Sequence, residues 1–185
     1  HYQGHTVQEI SRSDAGATNL SETASAISAV IEFAKLNHEK CICFVTGVPG
    51  AGKTLAGLNI TTDRMRSHED EHAVFLSGNG PLVAVLREAL ARDQRDREGI
   101  PKKEADRKAA TFIQNIHHFR DDNVGVDTPP VEKVVVFDEA QRAWDQPSTA
   151  KFMQQKRQQV GFDLSEPEFL VEVMDRHDDW CVIVA

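Results

Sequence analysis

Residues 47–54 of this chain read Gly47-Val48-Pro49-Gly50-Ala51-Gly52-Lys53-Thr54, a glycine-rich stretch that ends in a lysine and a threonine. An apolar run, 41–45, precedes it, and a helical pattern of apolar residues begins at Leu55, so it is predicted to join a buried strand to a helix. The spacing matches G-x-x-x-x-G-K-[ST] in the strand-turn-helix context that this motif requires. An ordinary glycine-rich turn needs neither a lysine nor a threonine at these offsets. We therefore interpret the stretch as a phosphate-binding loop.

Each residue type in the loop has a physical role in holding phosphate. Glycines let consecutive backbone N–H groups point inward at the positive end of a helix dipole, which makes an anion site. Lys53 is expected to reach the β- and γ-phosphates of a nucleotide, and the Thr54 hydroxyl to give one oxygen to Mg²⁺. All eight residues, Gly47 to Thr54, are therefore predicted to bind the nucleotide, with Lys53 also catalytic and Thr54 also a magnesium ligand.

A second group of polar residues follows the apolar run 134–137, which has the composition of a strand covered on both faces of a parallel sheet. Asp138 is placed where Mg²⁺, already held by Thr54, finds a carboxylate. Glu139 is predicted to orient and polarise the attacking water, and Gln141 to sense the γ-phosphate or position that water. Two surface acids that cap a strand are the alternative. With the phosphate-binding loop upstream, the magnesium and water roles are favoured.

The composition is that of one ordinary domain. The chain has 185 residues, of which 40% are hydrophobic, enough for a substantial core. A net charge of −8 argues against holding nucleic acid by bulk electrostatics alone, without excluding a local basic groove. Three cysteines, an odd number, fit free thiols in a reducing compartment, so a cytoplasmic protein is expected. No stretch approaches the ~20 apolar residues of a membrane span, so no membrane partner is expected.

The remaining periodicities predict an α/β fold, a parallel sheet of about five strands with helices on both faces (three layers, α/β/α). Residues 1–18 are polar and aperiodic and are predicted to form a leading arm, and Asn19 is predicted to cap the first helix. The predicted strands lie at 41–45, 73–76, 111–116, 134–137 and from 180 onward. The predicted helices lie at 20–37, 55–67, 82–90, 146–160 and 166–174.

One segment, 92–108, is dense in charge of both signs and poor in apolar residues. Gly99-Ile100-Pro101 breaks it, so we predict an exposed excursion from the domain. A nucleic-acid contact is the sharper alternative, through its basic residues Lys102, Lys103, Arg107 and Lys108.

Three further residues follow predicted strands, where ligands of open α/β sheets bind. Asn79 lies in the polar loop 77–81, and a ligand contact and an ordinary βα turn are equally good interpretations. His117 and His118 close the third predicted strand. Adjacent residues of a strand point to opposite faces, so a substrate contact is favoured over one shared metal centre.

Five stretches taken together resemble the Schlafen group 3-type DNA/RNA helicase domain of many bacterial proteins, which is similar to the motor of superfamily 1 helicases. The similarity extends from about residue 40, and its most specific part is Asp138-Glu139-Ala140-Gln141-Arg142-Ala143-Trp144. The five stretches are 47–54, 77–82, 116–119, 138–144 and 175–180.

The resemblance implies a P-loop NTPase lobe of the RecA-like type over 19–185 that uses ATP and Mg²⁺ to act on single-stranded DNA or RNA. It implies that Asn79, His117 and His118 lie where helicase motifs touch the strand. Such motors have a second lobe that carries an arginine finger. This chain is expected to be a piece that stops before the second lobe. Because the finger is worth orders of magnitude in rate, the piece alone is expected to hydrolyse ATP slowly or not at all. A regulatory ATPase switch acting on a protein partner is the alternative, since it would use the same catalytic residues.

Overall fold

The computed structural model describes residues 17–47, 52–67, 72–143, 145–157 and 163–185, which contain both helices and strands. The strands are β1 (Lys40–Cys43), β2 (His72–Ser77), β3 (Ile113–Asn115), β4 (Glu132–Asp138) and β5 (Cys181–Val184). The α-helices are α1 (Ala17–Asn37), α2 (Lys53–Ser67), α3 (Gly80–Glu98), α4 (Lys102–Phe112), α5 (Ile116–Asn123), α6 (Gln146–Arg157) and α7 (Glu166–Asp175). A short 3₁₀ helix spans Ala140–Arg142.

The five described strands form one parallel sheet in the order β1-β5-β4-β2-β3. The last strand, β5, is inserted between β1 and β4. Backbone hydrogen bonds extend its pairing with β1, since Val45 N donates to Ala185 O at 2.7 Å and Ala185 N donates to Cys43 O at 2.9 Å. The residues that follow β1 and the acids at the end of β4 therefore lie at the same edge of the sheet, with β5 between the two strands.

Helices cover both faces of the sheet because successive strand residues point to opposite faces. In β2, Phe75 packs into one core and Val74 into the other, and both side chains are fully buried. The first core includes residues of α1, α2, α3 and α4, and the second includes residues of α5 and α7. The predicted three-layer α/β fold, consistent with a RecA-like domain, is confirmed.

Helix α2 approaches β4 closely at Gly57. A Cβ atom at this position would lie 2.6 Å from Val136 Cγ1 and 3.4 Å from Phe75 Cε2. Side-chain carbons do not approach to 2.6 Å without displacing their neighbours, so only glycine permits this packing. Lys53 and Thr54 lie about one helical turn before Gly57. The close approach therefore holds the beginning of α2 over β4.

We expect Gly57→Ala to destabilise the fold by about 1–3 kcal/mol, because the added methyl group overpacks the contact with Val136. The gain in helix propensity offsets about 1 kcal/mol of this loss. The matched control is Gly80→Ala, also in a helix, where an added Cβ meets no atom within 4 Å. Urea unfolding measures both variants. Equal stability of the two would contradict the close packing of α2 on β4.

The prediction of a strand at 111–116 was partly wrong. Helix α4 extends to Phe112, the strand β3 covers only 113–115, and the chain turns at once into α5. Asn115 caps α5, since its Oδ1 accepts from His117 N at 2.9 Å. This cap ends the strand at Asn115 and begins a helix at Ile116, inside the predicted strand range. His117 and His118 are therefore helical, and the argument from opposite strand faces does not apply to them.

The predicted excursion at 92–108 is instead part of the domain. Helix α3 continues to Glu98 and ends at Gly99, which has φ 67° in the left-handed region. Helix α4 follows and buries Ala105 and Ala109 completely in the first core. Two alanines four residues apart form an apolar stripe too weak to be recognised among so many charges.

Other predicted boundaries differ less. Helix α1 begins at Ala17, so Asn19 lies inside it rather than capping it, and residues 1–16 of the predicted leading arm lie outside the described residues. Helix α7 is close to its predicted range and buries Phe169 and Val173. Of the described helices, none is sufficiently long and apolar to span a bilayer.

Candidate functional site

The described part of the phosphate-binding loop comprises its two ends. Gly52 has φ 86°, a left-handed conformation that favours glycine, and Lys53 is the first residue of α2. Lys53 Nζ donates to Gly47 O at 2.7 Å, so the lysine side chain reaches back to the beginning of the loop. The other predicted nucleotide-binding residues, Val48, Pro49, Gly50 and Ala51, lie outside the described residues.

Thr54 and Asp138, the two predicted magnesium ligands, are in direct contact. Thr54 Oγ1 donates to Asp138 Oδ1 at 2.8 Å, across 84 residues of sequence. Asp138 ends β4 and is 8% exposed. Burial raises the pKa of the Asp138 carboxyl, and the hydrogen bond from Thr54 opposes this rise. The contact joins the beginning of α2 to the end of β4.

The donor set at this contact fits a magnesium ion. Within the described part of the chain, the buried Asp138 Oδ2 has no hydrogen-bond partner. A buried acceptor without a partner is unfavourable by about 1–3 kcal/mol, and more for a charged group. Mg²⁺ prefers oxygen ligands and is usually bound by one or two carboxylates together with phosphate oxygens. The Asp138 carboxylate and the Thr54 hydroxyl would therefore hold it.

Glu139 has an unusual backbone. Its φ of 59° and ψ of 36° are left-handed, a conformation that costs a non-glycine residue of order 1–3 kcal/mol. Gln141 Nε2 donates to Glu139 Oε2 at 2.8 Å. With Lys53 and Asp138, both residues line a small cavity of about 50 Å³. Strain of this kind clusters at functional sites, which supports the predicted role of Glu139.

A larger cleft, of about 390 Å³, opens beside this cavity at the carboxyl ends of the strands. It brings together Asn79, His117 and Glu139, which follow β2, β3 and β4 respectively. His118 is exposed and is not among the described residues that line the cleft. The described lining is Gly78, Asn79, His117, Phe137, Glu139, Ala143 and Glu166. Because Glu139 lines both the cleft and the small cavity, the two are neighbours.

Asn79 has a structural role in addition to its place in the cleft. Its Oδ1 accepts from Leu82 N at 3.2 Å and caps α3, and Pro81 lies in the first turn of that helix. The βα turn that was one of the two predicted interpretations is therefore present. A ligand contact by Asn79 would use its amide nitrogen.

The sequence analysis missed Glu166, which lines the cleft, and Arg120, which pairs with it. Glu166 Oε1 lies 3.0 Å from His117 Nδ1 and 3.5 Å from Arg120 Nη1. The Glu166 side chain is 4% exposed and the Arg120 side chain 1% exposed. The capping box of Ser165 and Glu168 marks the beginning of α7 in the sequence. No periodic pattern indicates that the first residue of this helix meets α5.

A comparison with protein-family models matches residues 40–185 to the Schlafen group 3, DNA/RNA helicase domain. The chain belongs to this family. The matched range covers well over half of this chain and includes every site residue described above. No curated protein and no solved structure matches it.

We expect Asp138→Asn to weaken magnesium-dependent nucleotide binding by this helicase domain about 10–100-fold, the usual effect of disturbing a metal site. The domain without ligand should become no less stable at pH 7. Since the folded-state pKa of Asp138 is raised, its ionised carboxylate lowers stability above the unfolded pKa of about 3.9, and asparagine removes that loss. Nucleotide titration with Mg²⁺ and urea unfolding test the two expectations. Unchanged affinity together with lower stability would indicate a purely structural aspartate.

Proposed function

We propose that this domain binds ATP with Mg²⁺ and hydrolyses it as the first motor lobe of a nucleic-acid-dependent ATPase. One observation carries the proposal: Thr54 of the phosphate-binding loop donates to Asp138 of β4, within a chain of the helicase-domain family. A carboxylate at the end of a buried strand, in contact with the loop hydroxyl, is the arrangement that nucleotide hydrolysis requires in P-loop proteins.

The chain's own residues then have distinct roles. The loop 47–54 holds the phosphates through backbone N–H groups, and Lys53 adds a positive charge beside them. Thr54 and Asp138 hold Mg²⁺, which when bound supplies neutralising charge to the phosphates. Glu139 orients a water molecule and takes its proton, and Gln141 holds the Glu139 carboxylate through their hydrogen bond.

The cleft is the proposed place of the strand. Asn79 and His117 line it and are the two residues through which we expect contact. Glu139 lies on its border with the small cavity. A strand in the cleft would therefore lie beside the residue that acts on water, which gives a physical route for nucleic acid to alter the rate of hydrolysis.

The three cysteine thiols fit a proposed cytoplasmic location, and two of them are weak nucleophiles. Cys41, Cys43 and Cys181 are unpaired and lie in strands. Burial raises the pKa of Cys181 to about 11, and burial also raises the pKa of Cys43. These two thiols stay protonated at neutral pH and are therefore weak nucleophiles.

The test is ATP turnover by the complete protein with and without single-stranded DNA or RNA. Stimulation by a strand is expected of a motor. Indifference to both nucleic acids, with ATP still hydrolysed, would favour instead a switch that acts on a protein partner. The 185-residue chain alone is expected to turn over slowly or not at all, because the resemblance places the arginine finger in another lobe.

A further inference from the structure

The segment 175–180, which we call the α7–β5 turn, is one of the five stretches that carry the family resemblance. None of its residues, all of which the structure describes, lines the small cavity or the cleft. Lys40 and Glu132, the first residues of β1 and β4, both contact this turn. The candidate site lies at the other ends of the same strands, where Gly47 follows β1 and Asp138 ends β4. The turn therefore acts on the fold and not directly on a ligand of the site.

Two lysines hold the α7–β5 turn from the two strands that flank β5. Lys40 Nζ of β1 donates to Asp175 O at 2.6 Å and to Asp175 Oδ1 at 2.9 Å. Lys133 Nζ of β4 pairs with Asp179 and lies 5.6 Å from the centre of the Trp180 ring. Since β5 is inserted between β1 and β4, these contacts attach the turn before β5 to both neighbouring strands.

His177 is the buried histidine of this turn. It is 4% exposed, and its Nε2 lies 2.9 Å from the backbone oxygen of Glu132. A backbone carbonyl only accepts hydrogen bonds, so Nε2 carries a proton and donates it. A second proton, on Nδ1, would make the buried ring a cation. The neutral ring is therefore the form that this contact accommodates at least cost.

The surroundings of His177 disfavour a charge on its ring. Burial lowers the pKa of His177, and the positive charges of Lys133 and Lys40 also lower it. The hydrogen bond to Glu132 O and the carboxylate of Asp179 act in the opposite direction. The net result is a pKa below the ordinary value for histidine.

The other charged groups of the turn and its neighbours are paired, exposed or weakened by burial. Asp175 Oδ1 accepts from the lysine of β1, and Arg176 pairs at 2.9 Å with a glutamate four residues earlier. Asp178 is exposed to solvent, which screens its charge. Burial raises the pKa of the Glu132 carboxyl, so this group loses its charge more readily as the pH falls. The two lysines therefore outweigh the carboxylate of Asp179 at the ring.

We propose that His177 makes the attachment of β5 sensitive to pH: the neutral ring holds the α7–β5 turn against β4, and a second proton weakens this attachment in mildly acidic solution. Because the folded-state pKa is lowered, the stability that His177 contributes is complete above the unfolded pKa of about 6.5. It is lost as the pH falls from there through the folded pKa. The proposal concerns the fold alone and does not depend on ATP or strand binding.

The first test is ¹⁵N NMR of the histidine rings of the chain, followed through neutral and mildly acidic pH. The His177 signals are assigned by their loss in His177→Gln and by nuclear Overhauser contacts of the ring with Glu132. The expected result is the Nε2–H tautomer at neutral pH and a titration midpoint below about 6.5. Predominant Nδ1–H, or a midpoint at or above that value, overturns the proposal.

The second test is urea unfolding of the wild type and of His177→Gln, at a pH about one unit above 6.5 and at a pH about one unit below it. The wild type should have a lower urea midpoint at the lower pH. One proton changes the unfolding equilibrium constant by at most about tenfold per pH unit. His177→Gln should lose much of this difference, because glutamine gains no proton and its amide can still donate to Glu132 O.

The matched control is His118→Gln, which removes an exposed histidine of α5 and should retain the wild-type dependence on pH. An equal dependence on pH in wild type and His177→Gln overturns the proposal. If His177→Gln fails to fold, the titration of the wild-type ring, assigned through its contacts with Glu132, decides the question alone.

Discussion

Lys53→Ala is expected to weaken nucleotide binding by about 100-fold or more. The lysine is the one charged side chain within the loop motif, and its Nζ already lies across the loop at Gly47 O, 2.7 Å away. Its removal leaves the phosphates to the backbone amides and to the magnesium ion. Truncating one partner of a hydrogen-bonded charge pair generally costs about 2–5 kcal/mol, which is about 30-fold to several thousand-fold in affinity. Titration of the chain with a fluorescent ATP analogue in the presence of Mg²⁺ measures the loss.

The control for this variant is Lys102→Ala. Lys102 is the first residue of α4, as Lys53 is the first residue of α2, so both changes remove one positive charge from the first turn of a helix. Lys102→Ala should bind nucleotide as the wild type does. If the two variants bind equally well, Lys53 does not hold phosphate and the loop has been misinterpreted.

Glu139→Gln is expected to retain nucleotide binding and to lose turnover by about 10²–10⁴-fold, the typical contribution of a general base. Glutamine has nearly the same shape and can still hydrogen bond with Gln141, but it cannot take a proton from water. Glutamine should meet the same backbone strain at φ 59° as glutamate does. The measurement is strand-stimulated ATP turnover by the complete protein, together with ATP-analogue binding by the chain.

Glu132→Gln provides the control. Glu132 is the first residue of β4, and Glu139 follows the last residue of the same strand. Burial raises the pKa of Glu132, so a neutral glutamine should be tolerated there without loss of activity. A Glu139→Gln protein with an intact rate would show that another group acts on the water. Loss of binding in this variant would instead indicate that Glu139 supports the structure of the site.

The architecture was predictable wherever apolar runs were long or strictly periodic. The continuous run at 134–137 became β4, and the helical pattern at 166–174 became α7. The Thr54–Asp138 contact could also be predicted, because the motif and the apolar run place both residues at one edge of a parallel sheet.

The errors occurred where short local signals decide the structure. At Asn115 one side chain caps a helix and ends a three-residue strand, and the apolar pattern alone favoured a longer strand. The contact of Glu166 with His117 was not predictable, because it depends on how two separate helices pack. The left-handed backbone of Glu139 was not predictable either, since glutamate has no preference for that conformation.

The predicted site residues that the structure describes lie in two neighbouring groups. Thr54, Asp138, Glu139 and Gln141 lie together at one edge of the sheet with Lys53. Asn79 and His117 share the neighbouring cleft. The magnesium, water and strand roles of all of these residues stay predictions until ligands are bound.

The most direct test of the central claim is a crystal structure of the chain with a non-hydrolysable ATP analogue and Mg²⁺. We predict the triphosphate within the loop 47–54, Lys53 Nζ on its terminal phosphates, and Mg²⁺ held by Thr54 and by Asp138, directly or through water. A nucleotide bound elsewhere, or a triphosphate in the loop with Asp138 remote from the metal, would contradict the account.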